Sequence, residues 1–247
     1  MVSPAPRVGC WLRKAVRMGF KPLWIVPVFR HTACVRTLVP RLRASGVPVL
    51  LIDDGNNPAL GEVPGAEVLR LERNCGKGAA IVAGVRWAAA REFTAVAQID
   101  ADGQHNIEDA LAMLRRAESL PETLLSGFPV YDASVPKARS KGREVTRFFL
   151  RLEMGLTGED GLCGCRVYPL GPLMRVLPKV RSRRMGFDPE VIVRWVWQGF
   201  ALEPYPVRVT YPVNGVSNFR MVRDNLSFVL LHTRLLTLRV LRFLGGM

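Results

Sequence analysis

The residues of this chain best suited to act together are two carboxylates one position apart. They stand in the run Asp100-Ala101-Asp102-Gly103-Gln104-His105. Two acids so spaced converge on a hard divalent cation when the turn folds their side chains together, and Gln104 can add a neutral oxygen ligand. Mg²⁺ or Mn²⁺ held in this way keeps coordination positions open for substrate phosphates. A calcium EF-hand is excluded, because it needs Gly sixth and Glu twelfth, where this chain has His105 and Leu111. A plain Asp-Gly turn capped by Asn106 explains Gly103 and Asn106, but not why two acids follow an apolar run.

Two further clusters have chemical potential. In Asn74-Cys75-Gly76-Lys77-Gly78, glycines at a helix start leave backbone N–H groups able to face an anion, and Lys77 adds a point charge. The pattern is neither a Walker A loop nor a dinucleotide fingerprint. Taken alone it reads better as a Gly-containing turn with a solvated lysine. In Asp53-Asp54-Gly55, an acid can accept hydrogen bonds from a base or ribose, and a simple turn is the alternative.

These clusters need a scaffold, and the apolar pattern supplies one. Runs at 23–29, 47–52, 68–71, 93–99 and 124–128 predict strands, with a further strand at 207–211. Between them, helical spacing marks 33–44 (with Pro40 as an interruption or bend), 76–90, 106–118, 137–156 and 188–197. Asn106 caps the third of these, with Asp109 as a capping-box-like partner. The segment around Arg166-Val167-Tyr168-Pro169 is read as following a loop, with no strand assigned. Strand–helix alternation with continuous apolar strands predicts an α/β fold with a mostly parallel central sheet covered on both faces. The polar turns at 27–31, 53–57 and 100–105 each follow a strand, so they converge on the crevice at the strands' carboxyl ends.

Composition narrows the class. Lys and Arg number 35 against 21 Asp and Glu, a net charge of +14 that calls for a polyanionic or phosphorylated partner. Five cysteines at irregular spacing give no zinc pattern and read as reduced thiols. The basic start has no clean apolar core for a signal peptide, and no run is long enough to span a membrane. The organisation expected is a basic lead-in over 1–21, a catalytic domain over 22–212 and a C-terminal helical segment over 213–247.

In this order the motifs resemble those of family 2 glycosyltransferases, particularly enzymes similar to dolichol- and polyprenyl-phosphate mannosyl- and glucosyltransferases. The resemblance rests on Val26-Pro27-Val28-Phe29, Ile52-Asp53-Asp54-Gly55, Asn74-x-Gly76-Lys77-Gly78 and Gln98-Ile99-Asp100-Ala101-Asp102-Gly103-Gln104-His105. It continues through Asp160-x-x-Cys163-Gly164-Cys165-Arg166-Val167-Tyr168 and Gly186-Phe187-Asp188-Pro189-Glu190. It implies a GT-A, Rossmann-like nucleotide-sugar-binding fold. Pro27, Phe29, Asp53 and Asp54 would line the nucleoside pocket, and Lys77 would serve the donor. Asp100, Asp102 and Gln104 would surround Mg²⁺ or Mn²⁺ and the diphosphate, and Arg139 and Arg143 would engage phosphate groups. Asn56 stands where Ser is common, and Cys165 stands where an aromatic is usual.

The reaction implied is a single displacement with inversion, from a UDP- or GDP-sugar to a lipid-linked acceptor. Asp102 is the central catalytic acid of that reading. Asp160 is the candidate base or acceptor-orienting acid, with an arginine-paired loop carboxylate as its alternative. The 217–244 segment reads as a helix with Arg220, Arg223, Arg234 and Arg242 on one face, suited to an anionic membrane surface. Location at the cytoplasmic face of the membrane, as a peripheral protein, is the expectation. A nucleotidyltransferase would need a Gly-rich basic loop directly after the first strand, where Pro27 stands instead. A non-catalytic nucleic-acid binder lacks any recognition motif, so nucleic acid is not the expected partner.

Overall fold

The computed structural model describes residues 19–132, 137–155, 160–211 and 220–245. The first strand, β1 (Pro22–Val28), is apolar throughout, and its alternate side chains serve two cores. Trp24 and Val26 enter one, Leu23 and Ile25 the other. In β2 (Val49–Asp53), Leu51 is separated from Leu50 and Ile52 in the same way. A period of two on a strand buried from both sides is why these segments read as unbroken apolar runs.

Five more strands complete the sheet: β3 (Glu67–Arg70), β4 (Ala95–Gln98), β5 (Leu124–Tyr131), β6 (Arg166–Pro169) and β7 (Leu202–Val209). Their order is β3-β2-β1-β4-β6-β5-β7. β6 pairs antiparallel with β4 and β5, and the remaining pairs are parallel. The carboxyl ends of β1, β2, β4, β5 and β7 therefore reach one edge.

Helices cover both faces. α1 (Thr32–Arg43) and α3 (Ile107–Glu118) pack on one, α1 through Val35, Leu38, Val39 and Leu42 at helical spacing. The other face carries α2 (Lys77–Ala89), α4 (Lys137–Met154), α5 (Leu170–Val176), α6 (Phe187–Trp197) and α7 (Met221–Leu244). Gly84 lets α2 lie close on the sheet, since a side chain there would press on Ile52 and Ile25.

Four local expectations change. α1 runs unbroken through Pro40. β6 and α5 were not expected, because a four-residue strand that opens on a buried arginine and ends on proline carries no apolar run. The capping box is half formed: Asn106 accepts from the Asp109 N–H (3.0 Å), but the Asp109 carboxylate turns to Arg208 (2.7 Å). The Asn106 N–H donates instead to the Arg208 carbonyl (2.9 Å), which ties the acidic turn to β7.

The fourth change concerns α7. Its arginines do not share a solvent-facing side: Arg234 pairs with buried Glu190 (2.7 Å), and Arg242 donates to the Trp197 carbonyl (3.0 Å). Long guanidinium side chains reach back to acceptors on α6. His232 Nδ1 meets Glu153 of α4 (2.7 Å), and Phe149 stacks on its ring at 4.8 Å. Among the described residues no helix is long and apolar enough to cross a membrane. Residues 1–18 and 212–219, which hold the basic lead-in and the expected start of the C-terminal helix, lie outside the described residues.

Glu190 is the joint between α7 and the domain. Its second oxygen accepts the Arg181 (3.2 Å) and Ser182 (2.8 Å) N–H groups, and Arg194 lies 3.5 Å from the first. Breaking such a pair strands the remaining charge at a cost of roughly 3–5 kcal/mol. Arg234 keeps part of its side chain in solvent, so we expect Glu190→Ala to lower the unfolding free energy by about 3 kcal/mol in urea titrations. A loss below about 1 kcal/mol would refute this joint.

Candidate active site

Three polar turns meet at the carboxyl edge of the sheet, and one chain of contacts joins them. It starts after β2 with Asp54, which is buried. Its carboxylate accepts the N–H groups of Cys75 (2.7 Å) and Gly76 (2.9 Å) and the Asn74 side-chain amide (2.8 Å). The anion facing the start of α2 is thus the chain's own. Burial pushes the Asp54 carboxyl up, against the pull of these donors. Gly76, at φ +98°, and Gly78 leave room for the loop from 181 to Phe187, since side chains there would meet Arg183, Arg184 and Phe187.

Lys77 carries the chain onward. Its Nζ lies 2.7 Å from Asp100 Oδ1, 2.9 Å from Asp100 Oδ2 and 2.7 Å from Asp188 Oδ2. Burial disfavours the ammonium, but the two carboxylates outweigh it and raise the Lys77 pKa. The lysine is therefore a part-buried bridge, and the reading of a solvated turn lysine is set aside. Asp188 also accepts from Gln98 Nε2 (3.1 Å). Arg166, fully buried at the start of β6, lies 3.7 Å from the Asp188 carboxylate. It donates to the carbonyls of Asp188 (2.7 Å) and Gly161 (2.9 Å) and to the Tyr168 hydroxyl (3.2 Å).

Asp100 is held tightly from both sides. Burial raises its carboxyl pKa, but Lys77, His105 and Arg166 outweigh burial and hold it below the usual range. A side chain at Gly164 would overlap the Asp100 carboxylate, so only glycine fits there. Asp102 is partly exposed, and its Oδ1 accepts the Gln104 N–H (3.0 Å). The Gln104 carbonyl accepts from Thr210 N–H (3.0 Å), and His105 bridges Val209. Buried His105 has its Nδ1 without a partner among the described residues, and burial depresses its pKa.

This donor set fits a magnesium or manganese ion. Asp102 and Gln104 keep oxygen atoms for a cation beside Asp100. Among the described residues no group of three His, Cys, Asp or Glu side chains is placed to hold a metal ion by itself. An open set of one or two carboxylates is what a cation shared with substrate phosphates requires. Cys163 and Cys165 belong to the packing instead: burial pushes the Cys163 thiol up to about 12 and Cys165 well above its ordinary value.

Beside β1 and β2 opens a cleft of about 1150 Å³, lined by Phe29, Arg30, Arg36, Gly55, Asn56 and Asn74 among others. Pro27 lies one position inside the end of β1 and is partly exposed. Asp53 has its oxygens occupied by the chain: Oδ1 takes the Asn56 N–H (2.9 Å) and side-chain amide (2.6 Å), and Oδ2 takes Leu60 N–H (3.0 Å) and Arg70 (2.6 Å). It shapes the cleft's wall from behind. Asn56 completes that wall by donating to the Val28 carbonyl (2.9 Å) and accepting from Arg30 N–H (2.7 Å).

On the far side, Arg143 of α4 holds buried Asp160. Its Nη1 lies 2.8 and 2.9 Å from the two carboxylate oxygens, and Leu162 N–H adds a second donor (2.8 Å). The guanidinium also sits 5.4 Å from the Tyr131 ring, and it bears electrostatically on His105. Tyr131 stacks on Tyr211 at 6.2 Å. Arg139 lies in the first turn of α4, and its side chain is outside the described residues.

Sequence reasoning assigned no role to Asp188, Gln98, Arg166 or Asn56. The first three lie inside quoted motifs, but their meeting needs contacts 90 and 22 residues apart in sequence. Asn56 looked like a neutral replacement for Ser, and its triple use was not visible.

The comparisons with known proteins agree with this architecture. The model of Glycosyl transferase family 2 matches residues 24–175, more than half of the chain. Undecaprenyl-phosphate mannosyltransferase of Micrococcus luteus is 26% identical over 200 residues, covering 75% of this chain and 82% of that protein. Polyprenol monophosphomannose synthase of Mycolicibacterium smegmatis is 24% identical over 217 residues, covering 82% of each. Among solved structures, glucosyl-3-phosphoglycerate synthase of Mycobacterium tuberculosis superposes with a TM-score of 0.61 at 15% identity, covering 98% of this chain and 85% of that one. That likeness concerns the fold, which is GT-A. With motif order, sheet topology and matched span in agreement, the chain belongs to glycosyl transferase family 2 and is a glycosyltransferase.

Proposed function

We propose that the chain moves a sugar from a UDP- or GDP-sugar to a lipid-linked acceptor, a polyprenyl phosphate, with inversion at the anomeric carbon. It works as a peripheral protein on the inner face of the cytoplasmic membrane. The names of the two bacterial relatives support the acceptor class and favour a mannosyl donor. The observation that carries the reading is the Lys77 bridge, which ties Asp100, just after β4, to Asp188 at the carboxyl edge of the sheet.

The nucleoside occupies the cleft between α1 and the 55–64 loop, against Phe29, with Arg30 and Arg36 near its phosphates. Asp100, Asp102 and Gln104 would hold Mg²⁺ or Mn²⁺, which neutralises the charge that builds on the departing diphosphate. Lys77 keeps Asp100 ionised and aimed, and Gly164 lets the carboxylate sit where it does. The acceptor approaches from the β5 and α4 side, where Arg143 offers positive charge. A lipid phosphate is already anionic and needs no base to attack. Asp160, bound through both oxygens to Arg143, acts as the orienter of that arginine and not as a base.

Calorimetric titration with UDP and GDP, each with and without Mn²⁺, tests the donor reading. One nucleotide should bind with a metal requirement, and Asp102→Asn should abolish that binding while leaving the fold intact. Binding of neither nucleotide by the wild type, or unchanged affinity in the variant, overturns it.

Gly164→Ala probes the close approach. The added methyl group must displace the Asp100 carboxylate, so metal-dependent nucleotide binding should fall by at least about tenfold, equivalent to about 1.4 kcal/mol. Wild-type affinity in a folded Gly164→Ala protein would mean that Asp100 takes no part in holding the metal and donor.

For Asp160 the two roles differ in size. Loss of a general base costs about 10²–10⁴ in rate, whereas loosening Arg143 should raise the acceptor KM with kcat changed by less than about tenfold. Steady-state kinetics of Asp160→Asn decide between them, and a kcat loss beyond about 100-fold would return Asp160 to the base's role.

A further inference from the structure

α4 and α7 lie side by side, latched by the Glu153–His232 contact and by Phe149 stacked on the His232 ring. The inward sides of this pair are accounted for by Leu150, Met154, Leu231 and Leu235, which belong to the core. Their outward sides are apolar as well. On α7, Leu226, Val229 and Leu230 (63% exposed), then Val240 and Leu244, recur at helical spacing along one side. On α4, Val145, Phe148 (55% exposed) and Leu152 do the same. Outward rows of large apolar side chains on two adjacent helices exceed the scattered exposure normal for a soluble surface.

Charge identifies what covers this face. α4 carries six Lys or Arg against two Glu, and on α7 Arg223 is exposed while Arg234 and Arg242 are paired inside the protein. Arg151 and Arg223 are exposed beside the apolar rows. A second copy of a chain with net charge +14 would bring like charge to like. An anionic lipid surface satisfies both features, taking the apolar rows among its acyl chains and the arginines at its headgroups.

We propose that the joint outward face of α4 and α7 is the membrane-docking surface, with Leu226, Leu230 and Phe148 entering the lipid. This inference rests on the lipid-acceptor reading and gives it a geometry. The orientation differs from a basic helix face laid on headgroups, because Arg234 and Arg242 are turned into the protein. Arg143, two positions before Val145, stands on the opposite side of α4 and points to Asp160, so docking through this face sets the bilayer alongside the site without placing that arginine in the lipid.

The test is co-sedimentation of the full chain with phosphatidylcholine vesicles and with vesicles containing phosphatidylglycerol, without donor or acceptor. Wild type should partition onto the anionic vesicles, more weakly as salt rises. The double variant Phe148→Glu/Leu230→Glu should bind them at least tenfold less. Both positions are exposed, and unchanged circular dichroism and metal-dependent nucleotide binding would verify the variant's fold. Equal vesicle binding by wild type and variant, or none by wild type, overturns the proposal. So does a wild-type dimer in analytical ultracentrifugation that the double variant converts to monomer, because a second copy would then own the face. Nucleotide titration reports on the transferase reading alone, so failure of docking and failure of that reading are told apart.

Discussion

A part-buried ammonium between two carboxylates organises this molecule. Lys77, Asp100 and Asp188 come from three separate stretches of chain: the start of α2, the end of β4 and the first turn of α6. Drawing three charges largely out of water is costly, and mutual attraction offsets that cost only when the remaining hydrogen-bonding capacity is met. Most of it is met: Gln98 donates to Asp188 and Arg166 donates through its two Nη atoms to two carbonyls and a hydroxyl, while Arg166 Nε and Gln98 Oε1 have no partner among the described residues. The bridge forms only if β4, β6, α2 and α6 are all in place. It therefore specifies the arrangement of the edge at which donor and metal would meet.

The antiparallel strand β6 follows from the same constraint. A parallel sheet could offer Asp100 and the neighbouring turns at its carboxyl edge, but nothing would then close beneath them from the far side. By running backwards between β4 and β5, β6 starts at that edge, so Arg166 and the preceding Cys163-Gly164-Cys165 segment arrive directly under Asp100. Gly164 is the point of contact, and its missing side chain is what permits the carboxylate's position. The neighbouring cysteines fill the space as thiols, in keeping with their burial.

Where physics acted locally, the sequence was readable. Strands buried on both faces announced themselves as apolar runs, α3 announced itself by Asn106, and the acidic pair stood out after its strand. Where long-range partners decided the outcome, it was not. The Asn74–Gly78 turn was weighed as an anion site, and its anion proved to be Asp54, twenty-odd residues earlier. Asp53 looked free to bind a nucleoside, yet Asn56, Leu60 and Arg70 claim its oxygens. Asp160 was weighed as a base, and Arg143, seventeen residues away on α4, holds it. In each case residue type and spacing identified a group able to do chemistry, while the partner that fixes its task was distant in sequence.

The C-terminal helix illustrates the same limit in its sharpest form. A helical projection assigns every charge to the side from which its Cα points, and by that rule the arginines of α7 should define a wet face. Arg242 stands on the same side of α7 as the core residues Leu231 and Leu235, with Arg234 at that side's edge, and the long arginine stems carry the charge on to acceptors in the domain. Glu190 on α6 and the Trp197 carbonyl are such acceptors, and they draw Arg234 and Arg242 inward. The outward side is then left to leucine, valine and phenylalanine. The apolar exposure of α7 is thus a consequence of buried acceptors in the domain beneath it, and Glu190 fixes which way the helix faces.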